Sequence, residues 1–237
     1  MQTSNFIGEL VGTLVLILLG DGVVANVLLK GSKGENGGWI VVTTAWALAV
    51  MCGIFVAQKL GSPDAHLNPA VTIAMAVKSG DWSNVPSFIA AQLIGAFLGA
   101  TLVWLMYLPH WSITEDKGAK LGVFATSPAI RNPAANVISE AIGAMVLVVV
   151  SSSFSSDLPN GFAPYLVGML VWSIGLSLGG PTGYAINPAR DLGPRIAHAV
   201  LPISGKGNSD WAYAWIPVVG PIVGGVLAAL FLGAFNI

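Results

Sequence analysis

Charge is scarce in this chain: Lys, Arg, Asp and Glu make up 9% of its 237 residues, and 10 basic side chains nearly cancel 11 acidic ones. The basic residues are scattered singly, which excludes a nucleic-acid surface. Cysteine is scarcer still. The lone Cys52 rules out an intramolecular disulfide, and with three histidines in the whole chain there is no Cys/His cluster to hold a metal. No nucleophile with its base, metal set or carboxylate pair stands out as an active site, so neither an enzyme nor a cofactor is expected. Long polar segments are missing too; the largest, about 109–135, is too small for a soluble domain.

Apolar sequence fills the space instead. Hydrophobic residues account for 54% of the chain and the mean hydropathy is +0.76. A membrane span needs about 20 apolar residues, and six such windows occur, at roughly 6–29, 39–59, 85–108, 136–156, 162–180 and 211–236. The first lacks the basic flank of a cleaved signal, since Met1 to Asn5 carries no basic side chain, and it reads as a permanent helix.

Two strings break this apolar background in corresponding places, His66-Leu67-Asn68-Pro69-Ala70-Val71-Thr72 and Ala185-Ile186-Asn187-Pro188-Ala189-Arg190-Asp191. Asn is a preferred N-cap and Pro a preferred first helical residue, so each string starts a helix. The helix from Asn68 to Val77 would rise only about 15 Å, half the hydrocarbon thickness. The copy from Asn187 to Val200 contains Arg190, Asp191 and Arg195, which no lipid-facing segment holds. Both read as re-entrant half-helices facing inward. A third match, Asn132-Pro133-Ala134, directly precedes a complete span and reads as an ordinary turn and helix start.

The repetition extends further. Glu9-Leu10-Val11-Gly12-Thr13 opens the first span and Glu140-Ala141-Ile142-Gly143-Ala144 the fourth. The expected architecture is therefore all-α: six transmembrane helices plus two half-helices in one channel domain, 1–237, built of repeats 1–125 and 126–237. Three spans per repeat is odd, so the second repeat enters the membrane inverted, and the two half-helices meet near the midplane.

These strings, with Gly183-Tyr184-Ala185-Ile186-Asn187-Pro188-Ala189-Arg190-Asp191-Leu192-Gly193-Pro194, resemble the major intrinsic protein family, the aquaporins and aquaglyceroporins, over nearly the whole chain. The resemblance implies homotetramers with one pore per subunit, in a cell membrane, bacterial by the compact loops, with cytoplasmic termini. Charge counting argues the other way, because Lys117, Lys120 and Arg131 would then lie outside. Gly95-xxx-Gly99 and Gly220-xxx-Gly224 permit close helix contact, within a subunit or between subunits.

For the pore, an N-capping Asn turns its oxygen to its own helix and leaves its amide N–H₂ outward. Asn68 and Asn187 can then both donate to one oxygen at the pore centre, which interrupts a proton wire, while two positive half-helix ends oppose cations. By resemblance, Arg190 with Trp46, Gly175 and Tyr184 forms the outer selectivity filter. Water-selective relatives place His at the position of Gly175, where glycine leaves room. Asp191 after the second Asn-Pro-Ala-Arg, with Arg195 one turn on, and Pro217-Val218 in the last span both resemble the glycerol-conducting subgroup, the glycerol uptake facilitators. Tyr184 departs from the Phe common there; its hydroxyl either narrows the filter or adds a hydrogen-bonding group.

Backbone carbonyls of Ala65, His66 and Leu67, then Gly183, Tyr184, Ala185 and Ile186, are expected to line the path. Glu9 and Glu140 are expected to accept bonds from the non-helical backbone leading into the half-helices, and Asp191 with Arg195 to support a loop. Asp21 has no assigned role. The implied activity is passive passage of glycerol, water, dihydroxyacetone, urea, hydrogen peroxide or protonated lactic acid, with ions and protons excluded. A mainly water-selective channel is the nearer alternative. An ion channel or coupled transporter is the further one, and it would require charged groups at the midplane, where two neutral Asn residues stand instead.

Overall fold

The computed structural model describes residues 4–154, 157–159 and 161–235. The ends of two expected spans, at 155–156 and at 236, lie outside the described residues, as do the extreme ends of the two expected repeats.

Ten helices and no strand occur among the described residues. Five are long and apolar enough to cross a membrane: α1 Asn5–Leu28, α2 Trp39–Lys59, α4 Val85–Met106, α7 Pro133–Ser152 and α10 Ile216–Ala234. The sixth, α8 Phe162–Leu178, has 17 residues, the lower end of what spans. The half-helices are α3 Pro69–Ser79 and α9 Pro188–Val200.

Their starts follow from the Asn-Pro punctuation. Asn68 Oδ1 accepts from Ala70 N at 2.9 Å, and Asn187 Oδ1 accepts from Ala189 N at 3.0 Å and Arg190 N at 3.2 Å. Asn132 caps α7 by the same device, accepting from Ala135 N at 3.2 Å. Gly80 ends α3 in the left-handed region, φ 77°, where a side chain would be strained.

α1 packs between α2 and α4, and α7 between α10 and α8. Each half-helix packs on a helix from the other half of the chain: α3 lies on α10 and α9 on α4. Glycines set these crossings. A Cβ on Gly99 would lie 2.6 Å from the carbonyl oxygen of Leu14, and one on Gly220 2.6 Å from Cβ of Glu140. Both glycine pairs therefore serve packing within one chain, which decides the question that their spacing left open.

The segment 109–135 is more ordered than its polar composition suggests. It contains two short helices, α5 Leu108–Ile113 and α6 Lys117–Phe124, the second capped by Asp116. Trp111 is buried and stacks on Phe124, which in turn meets the ring of His198 in α9. Lys120 is buried as well, donating to the carbonyl of Ser204. Pro109 and Gly118 hide these helices from a reading by period, because each is too short to show one.

Candidate functional site

Each half-helix is reached through a short stretch of irregular backbone, and a buried glutamate anchors each stretch. Glu9 accepts from His66 N at 2.8 Å and Leu67 N at 2.7 Å; Glu140 accepts from Ala185 N at 3.0 Å and Ile186 N at 2.7 Å. Turning two successive N–H groups to one carboxylate requires alternation of backbone conformation. Ala65 and Leu67 have φ of 44° and 51°, and Tyr184 and Ile186 have 40° and 43°. These are uncommon values for residues with a Cβ, each costing about 1–3 kcal/mol, and the charge-assisted bonds to the carboxylates offset them. With the N–H groups held by the glutamates, the carbonyls of these loops are left for other partners.

Some of those partners are the asparagines. Asn68 Nδ2 donates to the carbonyl of Ile186 at 2.9 Å, and Asn187 Nδ2 to that of Leu67 at 2.8 Å. The sequence-based expectation left both amide N–H groups free. Each amide instead spends one N–H on the opposite loop and keeps one, and this reciprocal bonding ties the two half-helix ends together.

A cavity of about 400 Å³ runs past this junction, lined by Trp46, His66, Asn68, Tyr184, Asn187 and Arg190 among others. Ala65, Leu67, Ala185 and Ile186 also line it, whereas Gly183 and Gly175 do not. The guanidinium of Arg190 lies over the Trp46 indole, 4.2 Å from the ring centroid, and both side chains are buried. Apolar Leu16, Val50 and Val171 form much of the remaining wall. The cavity is therefore lined by hydrogen-bond donors as well as by rings and aliphatic groups.

Gly175 requires a correction. Its missing side chain was expected to leave the opening wide, but a Cβ there would meet Tyr184 Cζ at 2.8 Å and Oη at 2.9 Å. The tyrosine ring occupies the space that glycine vacates. Trp39 closes the back of this arrangement, meeting the Tyr184 ring edge-on at 5.8 Å and donating from Nε1 to the carbonyl of Gly175 at 3.1 Å. Tyr184 is thus the wall at this corner, and Gly175 is the recess that receives it.

The charged residues of α9 divide into two groups. Asp191 and Arg195 are fully buried and paired, Nε to Oδ1 at 2.7 Å. Asp191 Oδ2 also accepts from the backbone N–H and the hydroxyl of Thr126, while Arg195 donates to the carbonyls of Thr126, Ser209 and Asp210. This pair ties the loops at Thr126 and at Ser209 and Asp210 to the half-helix and does not line the cavity. Arg190 faces the passage instead.

The family model described as Major intrinsic protein matches residues 2–232. The chain belongs to that family. It is 58% identical over 228 residues to a probable glycerol uptake facilitator protein of Thermotoga maritima, covering 95% of this chain and 97% of that one. A glycerol uptake facilitator protein of Bacillus subtilis is 54% identical over 233 residues, 98% of this chain and 84% of its own length. Among solved structures, the aquaglyceroporin from Plasmodium falciparum superposes with a TM-score of 0.82 at 33% identity, over 97% of this chain and 94% of that one.

In this major intrinsic protein several supporting side chains escaped the sequence reading. Ser62 donates to Glu9 at 2.7 Å, and Gln92 donates to Glu9 at 2.8 Å and to Thr72 at 3.0 Å. The ring of His66 reaches Thr72 at 3.2 Å and rests edge-on against Phe88. A lone Gln in an apolar span is the signal that finds such a network, because a buried amide needs partners.

Proposed function

We propose that this chain is a passive channel carrying glycerol, water and similar small neutral solutes across a cell membrane while excluding ions and protons. The observation that supports this best is the mixed polar and apolar lining of the cavity. Arg190, the two asparagine amides and the loop carbonyls suit the hydroxyls of a polyol, and the rings of Trp46 and Tyr184 suit its CH₂ edge. Arg190, Trp46 and Tyr184, with Gly175 behind, act as the filter; Asn68 and Asn187 act as the centre. The relatives from Thermotoga maritima and Bacillus subtilis, whose names include glycerol uptake, support the choice of solute. Dihydroxyacetone, urea, hydrogen peroxide and protonated lactic acid have the neutrality and size that such a passage admits.

The assembly proposed is a homotetramer with cytoplasmic termini in a bacterial inner membrane. Exposed Leu98, Leu102, Leu105, Ile142, Leu227 and Phe231 suit lipid and neighbouring copies. The charge count that opposes this orientation loses force, because Lys120 is buried on a carbonyl and Arg131 is paired with Asp210.

A mainly water-selective channel is the second reading, and the Tyr184 ring seated in the recess of Gly175 favours it. Proteoliposomes subjected to osmotic jumps with sucrose and with glycerol separate the two. Fast shrinkage followed by fast re-swelling in glycerol is the expected result; fast shrinkage without re-swelling selects the water channel, and neither removes both.

A further inference from the structure

Four acidic side chains are almost fully buried in this molecule, Glu9, Asp21, Glu140 and Asp191. Three of them are explained: Glu9 and Glu140 hold the pore loops, and Asp191 holds Arg195. Asp21 is not. It lies in α1 with no exposed surface, and neither carboxylate oxygen has a hydrogen-bond partner among the described residues. The group facing it is equally unusual. Nη1 of Arg190 is buried, also lacks a hydrogen-bond partner, and stands 3.8 Å from Asp21 Oδ1. That distance is too long for a direct hydrogen bond and lies within ion-pair range.

Local packing explains how α1 reaches Arg190. A Cβ on Gly20 would lie 2.6 Å from Cε3 of Trp46, so the helix is pressed against the indole, and the guanidinium lies over the same indole. The residue after Gly20 therefore arrives behind the filter, and Asp21 does not line the cavity. Without it, Arg190 would add a full positive charge to a passage that already holds two positive half-helix ends, a field that draws in anions.

We propose that Asp21 is a positioning residue for selectivity: its carboxylate balances the charge of Arg190 from behind, so that the filter offers donors to neutral oxygens without admitting anions. The inference rests on the channel function proposed above.

The test uses the full chain in proteoliposomes and compares glycerol re-swelling with re-swelling in potassium nitrate plus valinomycin, where nitrate entry limits the rate. Asp21→Asn keeps the shape and removes the charge. The nitrate-to-glycerol ratio is expected to rise at least about tenfold, and Asp21→Ser, smaller and neutral, carries the same expectation if the Asn variant does not fold. In the double variant Arg190→Gln with Asp21→Asn, where neither charge is present, the ratio is expected to stay near that of the unmutated protein. An unchanged ratio with Arg190 present, or the same change without it, overturns the proposal. Absence of glycerol flux in the unmutated protein overturns the channel function instead.

Discussion

The two half-helices reach the same place by different means. α3 has no charged side chain before Lys78, and its approach is held by Glu9 within a neutral network of Ser62, Gln92, Thr72 and His66. α9 has Arg190, Asp191 and Arg195 within its first eight residues, and its surroundings are tied by a buried ion pair to Thr126, Ser209 and Asp210. Common to both are a glutamate on two backbone N–H groups, alternating positive φ, and an Asn cap bonded to the opposite loop. Backbone geometry is thus the shared part, and what surrounds it differs: a neutral hydrogen-bonded support on one side, a charged and ion-paired one on the other.

The strongest way to break this comparison is to remove Asp191. Its partner Arg195 would be left buried and uncompensated, a loss of about 3–5 kcal/mol, and thermal unfolding followed by size-exclusion chromatography in detergent should show little folded Asp191→Ala. The counterpart on the first side is Gln92→Leu, which takes one donor from Glu9 and one from Thr72. Its expected cost is smaller, about 1.5–3 kcal/mol for a bond to a charged group, and the melting temperature should fall while glycerol re-swelling persists.

Ala65 and Tyr184 sharpen the contrast, since each stands three residues before its Asn with nearly the same φ, 44° and 40°. Gly175→Ala forces a Cβ against the Tyr184 ring and should cost about 1–3 kcal/mol by overpacking, with the ring driven toward the cavity and glycerol flux reduced more than water flux. Tyr184→Phe should move the water-to-glycerol ratio the other way, toward glycerol; an unaltered ratio would mean that the hydroxyl has no part in selectivity. The smallest effect belongs to Asn132→Ala, which removes a cap with no pore attached. It should cost about 1 kcal/mol in the melt and leave stopped-flow water and glycerol rates untouched.

Most of the architecture is readable because its signals are local. Apolar windows give the spans, and Asn-Pro gives the half-helix starts at residues 68 and 187, since capping is decided within three residues. What could not be read depends on contacts far apart in the chain. Gln92 meets Glu9, Asn68 meets Ile186, and Arg190 meets Asp21, pairings that no periodicity announces. Gly175 shows a different limit. A glycine reads as open space, yet dense packing fills vacated volume with the nearest ring that fits, and that ring came from Tyr184 in the following loop.

In the function proposed above the acceptors along the passage are main-chain carbonyls, and the glutamates that hold these loops grip main-chain N–H groups. No single-residue change in the pore loops can delete an acceptor of this kind, because every residue contributes the same carbonyl. Under that proposal, inheritance can alter position 184 or 46 one codon at a time, while the scaffold that holds the pore loops is copied forward intact. A lineage could shift from one solute to another without passing through a closed ancestor.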